Sequence, residues 1–150
     1  MATAFQWSNA ELARVYSAAY QGRIARLCAA QATTGLTVNS TTAQWDAAEI
    51  TSQAANGYAR VQWTLPAGSY NNALLRYQTT TNTATFQASA SGLGLMYDTI
   101  YLVFGTQSGS TVTWDTNVGA IYTHNPTIAL APGQPLSYKV FLICDDVTTL

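Results

Sequence analysis

Hydrophobic and polar residues alternate strictly along Tyr58–Leu65. A period of two is typical of a β-strand that buries one face and exposes the other. The face expected to be buried carries Ala59, Val61, Trp63 and Leu65. The pattern therefore predicts a strand here, beginning directly after the turn signal Asn56-Gly57.

Other segments repeat this alternation or are apolar throughout. Thr99–Gly105 is almost entirely apolar, as expected for a central strand covered on both faces. The predicted strands are residues 23–29, 58–65, 83–90, 99–105, 111–115, 127–130 and 136–144. Turn residues separate them at intervals of about ten residues, which favours an antiparallel β-sandwich or jelly roll. The sequence thus predicts a mainly β fold.

An N-terminal α-helix is predicted before the first strand. Ser8 and Glu11 have the spacing of a capping box, in which each side chain accepts a hydrogen bond from an amide of the first turn. The helix continues to Tyr20 and ends at Gly22. Its apolar stripe comprises Leu12, Val15, Tyr16 and Ala19. Such a stripe has to pack, either on the body of this chain or on a neighbouring subunit.

The domain organisation follows from these elements. Residues 1–22 are predicted to form a helical anchor segment and residues 23–150 a β-sandwich, within one globular domain overall. Thr42–Ile50 is expected to hold one or two helical turns capped by Thr42. His124 is expected in a loop before the short strand at residues 127–130.

Charge is scarce and balanced. Only 9% of the 150 residues are charged, and six basic residues face seven acidic ones. A nucleic-acid binder is not expected, because its affinity depends on many Lys and Arg contacts with phosphates. No apolar run approaches the roughly 20 residues that span a bilayer, and the N-terminus lacks the pattern of a secretion signal. A polar surface with little charge allows copies to pack closely.

The two cysteines and the histidine give little indication of a catalytic or metal-binding site. Cys28 and Cys144 each lie in an apolar, strand-like run, which favours buried free thiols, with a Cys28–Cys144 disulfide as the alternative. His124 is the single histidine, so no metal shell is expected around it. Neither a metal nor a cofactor is predicted.

No catalytic constellation has the required spacing. Ser108 and Ser110 lie in a turn without a G-x-S-x-G frame. Asp98 with Asp115 is the carboxylate pair left open for a glycosidase. Asp145-Asp146 is left open as a Ca²⁺ ligand pair, although it does not form an EF-hand loop. We expect no enzymatic activity.

Aromatic residues are the most conspicuous feature that remains. The chain has nine tyrosines, four tryptophans and four phenylalanines. Tyrosines predicted in the helix or in loops are Tyr16, Tyr20, Tyr70, Tyr77 and Tyr122. An exposed tyrosine ring suits a subunit interface or the stacking of a sugar, because it provides contact area at low entropic cost.

Several segments together resemble small β-rich virion proteins of tailed bacteriophages. These are Glu49-Ile50, Asn56–Arg60, Ala84–Ser89, Tyr97–Leu102 and Ile128–Gly133. The resemblance covers residues 40–144 and leaves out the N-terminal helix. It implies a structural role in the particle, on the capsid surface or in the tail, for a protein made in the host cytoplasm. It also implies a homo-oligomer, a dimer or a trimer.

The leading hypothesis is a capsid decoration, or cement, protein that binds the major capsid protein lattice or other virion proteins without chemistry. The residues predicted to contact the partner are Phe5, Trp7, Leu12, Val15, Tyr16 and Tyr20. The alternative is a tail or fibre component that binds host surface glycan through Tyr70, Tyr77 and Tyr122. A glycan hydrolase and a non-viral β-sandwich binding module remain as further alternatives.

Overall fold

The computed structural model describes residues 4–6, 8–73, 76–140, 142–145 and 147–149. The chain divides into two compact units. Unit 1 comprises Met1–Arg23, Thr64–Thr83 and Lys139–Leu150, and unit 2 comprises Ile24–Trp63 and Ala84–Tyr138. The N-terminal helix therefore belongs to a unit that also contains two later parts of the chain.

The described residues form mainly β structure with two α-helices. The helices are α1 (Asn9–Ala19), α2 (Thr42–Ala48) and a 3₁₀-helix (Thr51–Asn56). The strands are β1 (Ala4–Gln6), β2 (Ile24–Ala30), β3 (Val61–Thr64), β4 (Ser69–Asn71), β5 (Arg76–Gln78), β6 (Asn82–Gln87), β7 (Leu95–Ser108), β8 (Thr111–Trp114), β9 (Ala120–Leu130), β10 (Pro135–Val140), β11 (Ile143–Asp145) and β12 (Val147–Thr149). The predicted mainly β fold with an N-terminal helix is confirmed.

Antiparallel pairing joins these strands into sheets. The largest has the order β3-β2-β7-β8, and β9 also pairs with β7. A three-stranded sheet has the order β11-β5-β4, and two further pairs are β1-β12 and β10-β6. The β2–β7 ladder runs from Ile24 opposite Gly105 to Ala30 opposite Thr99. The long strand β7 is thus the centre of unit 2.

The core of unit 2 lies where α2 covers the central sheet. Its buried cluster consists of Cys28, Ala30, Trp45, Tyr101, Val103 and Val118. The Trp45 ring stacks on Tyr101 at 5.4 Å, and the indole N–H donates to the Thr37 carbonyl at 3.0 Å. Thr41, one residue before the predicted cap, caps α2 in a capping box with Gln44. A short helix is held in this way by its cap and by one buried tryptophan.

In unit 1, α1 packs on the sheet of β4, β5 and β11. Half of the capping box predicted at the start of α1 is present, since the Ser8 hydroxyl accepts a hydrogen bond from the Glu11 amide at 3.1 Å. The Glu11 carboxylate does not complete the capping box but binds the Arg14 guanidinium at 2.6 Å. Both Leu12 and Tyr16 are buried. The apolar stripe of the helix therefore packs largely within its own unit.

Three strand predictions need correction. The strand expected at Tyr58–Leu65 shrinks to β3, and Tyr58 is buried while Ala59 is exposed. The last predicted strand is divided into β10 and β11. His124 lies within β9 rather than in a loop. Four residues of β9 (124–127) lie between the two residues that pair with Tyr97 and Thr99. This bulge interrupts the alternation of hydrophobic and polar residues that would indicate a strand.

The loop Ser89–Gly94, called here the Leu93 loop, is tied to Asn56. The Asn56 carbonyl accepts a hydrogen bond from the Ser89 amide at 2.7 Å. The Asn56 side-chain oxygen accepts one from the Leu93 amide at 3.0 Å. A Cβ on Gly92 would lie 2.8 Å from the Asn56 Cα, so only glycine fits there. The loop is consequently rigid and depends on its glycines.

Gly94→Ala is expected to lower the free energy of unfolding by about 3 kcal/mol or more. Gly94 has φ +91°, and an added Cβ would overlap the Leu130 carbonyl oxygen, so strain and steric overlap add. Gly109→Ala is the control, because Gly109 has φ +61° but nothing within 4 Å of the added Cβ. Urea denaturation of both variants checks this, and equal losses would contradict it.

Candidate functional site

The residues predicted to anchor α1 to a partner are largely buried inside unit 1. Tyr16 is fully buried and its hydroxyl donates to the Pro66 carbonyl at 2.6 Å. Leu12 is buried as well, whereas Val15 is 39% exposed and Tyr20 is half-buried. Leu12 and Tyr16 therefore cannot contact a partner in this conformation. The side chains of Phe5 and Trp7 lie outside the described residues.

Two of the predicted glycan-contacting tyrosines lie in the sheet of unit 1, and one of them, Tyr77, meets the helix. Tyr70 and Tyr77 are opposite one another in the β4–β5 ladder. The Tyr77 ring lies 5.5 Å from Tyr16, which in turn lies 5.8 Å from Tyr20. The Tyr77 hydroxyl donates to the Gly68 carbonyl at 2.8 Å. The rings of Tyr16, Tyr20 and Tyr77 pack together, and Tyr70 is half-buried at the ladder position opposite Tyr77; we call these four residues the tyrosine cluster.

Tyr122, the third candidate, belongs to a different group in unit 2. It is 61% exposed, and its ring meets His124 edge-to-face at 4.9 Å. His124 Nε2 and the Tyr138 hydroxyl are hydrogen-bonded at 2.9 Å, and the Tyr138 and Tyr97 hydroxyls at 2.8 Å. We call Tyr97, Tyr122, His124 and Tyr138 the His124 cluster. The sequence gives no sign of this group, because the bulge in β9 makes His124 look like a loop residue.

Burial tunes the titratable groups of the His124 cluster. It lowers the pKa of His124. It raises the pKa of Tyr97, and the hydrogen bond with Tyr138 raises it further. Burial also raises the pKa of Tyr138. The phenols therefore stay protonated and His124 stays neutral at neutral pH, which lets its ring nitrogen accept a hydrogen bond.

We expect His124 to make the folded state less stable as the pH falls. Its pKa in the folded chain lies below the value of about 6.5 of an unfolded chain. The unfolded state therefore binds the proton first, and stability is lost progressively below about pH 6.5. His124→Gln should lose less stability over this range than the unmodified chain. Urea denaturation between pH 7.5 and pH 5 at half-unit steps measures the difference, and parallel pH profiles would contradict the assignment.

An ion pair between a buried arginine and a half-buried aspartate joins β2 to α2. The Arg26 guanidinium binds the Asp46 carboxylate at 2.7 Å, and the Arg26 side chain is 1% exposed. Tyr101 donates a second hydrogen bond to Asp46 at 2.8 Å. The guanidinium also lies 4.5 Å from the centre of the Trp114 ring. The pair fixes α2 on the sheet through charge neutralisation and a cation–π contact.

A buried carboxylate, Glu49, follows the end of α2. It accepts hydrogen bonds from the Tyr58 hydroxyl at 2.6 Å and from Arg60 Nε at 3.1 Å. The Tyr58 hydroxyl accepts one from the Ala29 amide at 3.0 Å. Burial raises the pKa of Tyr58, so this phenol remains a donor. These bonds draw Tyr58 inward and explain why the predicted face is wrong at Tyr58, whereas Val61, Trp63 and Leu65 remain the less exposed side of the segment, as predicted.

A cleft of about 440 Å³ in unit 2 contains two carboxylates, Glu49 and Asp98. The Asp98 carboxylate accepts hydrogen bonds from the Ala32 amide at 2.9 Å and the Thr33 hydroxyl at 2.8 Å. The Thr99 hydroxyl donates a third bond at 2.9 Å. Both carboxylates are thus engaged in fixing backbone and side chains around the cleft.

The carboxylate pair left open for a glycosidase is too widely spaced. The Asp115 amide donates to the Phe104 carbonyl, which places Asp115 opposite that part of β7. Asp98 precedes Phe104 by six residues in the same strand, a separation of about 20 Å. Glycosidase carboxylates lie about 5–10 Å apart. Asp98 and Asp115 therefore do not form such a pair.

Of the two cysteine side chains, the structure describes that of Cys28. Cys28 is a buried free thiol, and burial raises its pKa to about 12, so it is a poor nucleophile. The side chain of Cys144 lies outside the described residues. Asp146 also lies outside them, and with it the suggested Ca²⁺ pair. Among the residues that are described, no group of three His, Cys, Asp or Glu could hold a metal ion. No described helix is both long and apolar enough to cross a membrane.

Charged residues are nearly absent from one long stretch of the chain. Among the described residues, ion pairs join Arg14 to Glu11, Arg26 to Asp46 and Arg60 to Glu49. Between residues 77 and 138 the only Asp, Glu, Lys or Arg residues are Asp98 and Asp115. We call residues 77–138 the nearly uncharged segment. Its surface relies on hydroxyl, amide and apolar groups.

Large apolar side chains are exposed on this same segment. Leu93, at the tip of the rigid Leu93 loop, is 91% exposed, and Met96 is 49% exposed. Ordering costs are low for a loop that is already held by hydrogen bonds, so such a side chain can add binding energy efficiently. Comparisons with protein-family models, curated proteins and solved structures found no match. The function is therefore inferred from the surfaces themselves.

Proposed function

We propose that the protein is a structural component of a bacteriophage virion, a capsid decoration protein that binds and stabilises the major capsid protein lattice. The observation that carries this proposal is the nearly uncharged segment with Leu93 and Met96 exposed on it. Burying uncharged surface requires no desolvation of ions, and exposed apolar side chains gain from removal from water. Such a surface is suited to close packing against other subunits.

The arrangement of ionic groups supports the same proposal. The charged side chains of the Arg14–Glu11, Arg26–Asp46 and Arg60–Glu49 pairs already have a partner within the chain. Net charge of −1 leaves little repulsion between copies, which favours a homo-oligomer of two or three subunits. We include in this proposal the resemblance to small virion proteins and a complete jelly-roll sandwich. Both are compatible with the antiparallel sheets.

Binding to the empty heads of the virus that encodes the chain tests the proposal. Co-sedimentation should show saturable binding, with an affinity that changes less than about threefold between 50 and 500 mM NaCl, because few ionic contacts are screened. Leu93→Asp should weaken binding by at least about tenfold, since a charge would be buried against the lattice. Ser110→Asp, which adds the same charge at an exposed turn, should bind like the unmodified chain.

Three results would contradict the proposal. These are the absence of binding to heads, binding that weakens steeply with salt, and equal losses for Leu93→Asp and Ser110→Asp. Circular dichroism of both variants verifies that the fold is retained.

A further inference from the structure

We propose that the His124 cluster is a binding platform for a neutral saccharide, with the exposed Tyr122 ring as its stacking surface. This activity goes beyond capsid decoration and does not depend on it. Of the three tyrosines considered for glycan binding, Tyr122 alone stays exposed, because Tyr70 and Tyr77 belong to the tyrosine cluster. The site therefore lies in unit 2, on β9.

The position of Tyr122 favours a ligand from solvent. It lies on β9, which pairs with β7 alone among the described strands, and 61% of the residue is accessible. His124 contacts it edge-to-face at 4.9 Å, so the ring has support from one neighbour while most of it faces water. A flat, supported and accessible ring is what the C–H face of a pyranose stacks on.

The platform is also rigid. A chain of hydrogen bonds runs from His124 through the Tyr138 hydroxyl to the Tyr97 hydroxyl, at 2.9 and 2.8 Å. Phe86 packs edge-on against both Tyr97 and Tyr138, each at 5.8 Å. Because these rings are fixed before binding, little side-chain entropy is lost when a ligand arrives. Preorganisation of this kind matters most for small ligands with few contacts.

The surroundings select an uncharged ligand. No Asp, Glu, Lys or Arg occurs between residues 116 and 138. Across the bulge, β7 contributes the carboxylate of Asp98, which already accepts three hydrogen bonds and would repel a phosphate, a sulfate or a sugar acid. The Tyr122 hydroxyl and the amide of the exposed residue Asn125 can exchange hydrogen bonds with sugar hydroxyls. A neutral hexose, free or within a polysaccharide, matches this combination of one ring and neutral polar groups.

NMR titration of the full-length chain tests the inference. The probes are the methyl glycosides of glucose, galactose, mannose and N-acetylglucosamine, together with dextran and, as charged counterparts, methyl glucuronide and glucose 6-phosphate. At least one neutral probe should shift the resonances of Tyr122 and His124. Tyr122→Ala should weaken that binding by about tenfold, and Tyr122→Phe, which keeps the ring, should remain within about threefold.

The controls separate this site from the head-binding surface. Leu93→Ala removes an exposed side chain elsewhere in unit 2 and should leave saccharide binding unchanged. Tyr122→Ala should in turn leave head binding unchanged. The inference is overturned if no neutral probe binds, if the charged probes bind more tightly, or if Tyr122→Ala binds as well as the unmodified chain with its spectrum otherwise intact.

Discussion

Replacing Asp46 by asparagine is expected to lower the free energy of unfolding by about 3–5 kcal/mol, because it leaves Arg26 charged and buried without its partner. Asparagine has nearly the same size and can still accept a hydrogen bond from Tyr101. The loss therefore reports on charge rather than on packing. Three of the four tryptophans, Trp45, Trp63 and Trp114, lie in unit 2, so tryptophan fluorescence during urea denaturation reports mainly on the unit in which the pair is found.

A second substitution distinguishes this explanation from a general weakening of α2. In the double variant Arg26→Met with Asp46→Asn, the unpaired charge is gone and an apolar side chain occupies its place. Replacing a buried pair by apolar residues is often neutral, so the double variant should regain at least about half of the lost stability. If the double variant loses as much stability as the two single substitutions added together, the unpaired charge of Arg26 is not the cause.

Replacing Tyr16 by alanine is expected to cost about 3–5 kcal/mol in the stability of unit 1. The substitution leaves a cavity among Tyr20, Tyr77 and the helix, and it removes the hydrogen bond to the Pro66 carbonyl. Tyr16→Phe keeps the ring and should cost only about 1–2 kcal/mol. Hydrogen exchange of the amides in α1 and β5 measures the effect where it occurs.

Val15 provides the matched control on the neighbouring position of the same helix. It is 39% exposed, so Val15→Ala should change the stability of unit 1 by no more than about 0.5 kcal/mol. Similar losses at Val15 and Tyr16 would show that α1 does not pack as described. The comparison also decides which part of the helix stripe remains available to a partner.

Elements with strong local signals could be predicted from sequence. The start of α1 was predictable because Ser8 is a good cap before an apolar stripe. Strand β6 was predictable because Ala84 and Phe86 alternate with exposed residues. The centre of β7 was predictable because an uninterrupted apolar run requires cover on both faces. In these places local pattern and tertiary burial agree.

Other features depend on partners distant in sequence. Tyr58 is buried through a hydrogen bond to Glu49, which no alternation in its own segment could indicate. Strand β9 owes its length to pairing with β7 across a bulge. The apolar stripe of α1 predicts that the helix is packed, but it does not indicate which surface covers the stripe. Tyr16 packs on Tyr77, sixty-one residues later, rather than on another subunit.

The candidate site was harder to foresee than the fold. The sequence marks Tyr122 as an aromatic residue of interest, but its neighbour His124 is held by Tyr97 and Tyr138, which lie in strands where aromatic residues usually serve as core. Arg26 and Asp46 are twenty residues apart and have no motif spacing. Side chains that meet through sheet pairing carry no local signature, so only the three-dimensional structure could bring them together.

The attachment of Asn56 has a consequence for the chemical ageing of the chain. In an Asn-Gly pair the glycine nitrogen can attack the asparagine side chain, and the resulting cyclic imide opens to aspartate or isoaspartate. Here the Gly57 amide donates to the Ala54 carbonyl at 3.0 Å, and the side-chain oxygen of Asn56 is held by the Leu93 amide. Because these two hydrogen bonds hold both groups in place, the glycine nitrogen is restricted from approaching the side-chain carbonyl carbon, and we expect deamidation to be slower than in an unfolded chain. An intact Asn56 keeps a new negative charge away from the exposed Leu93.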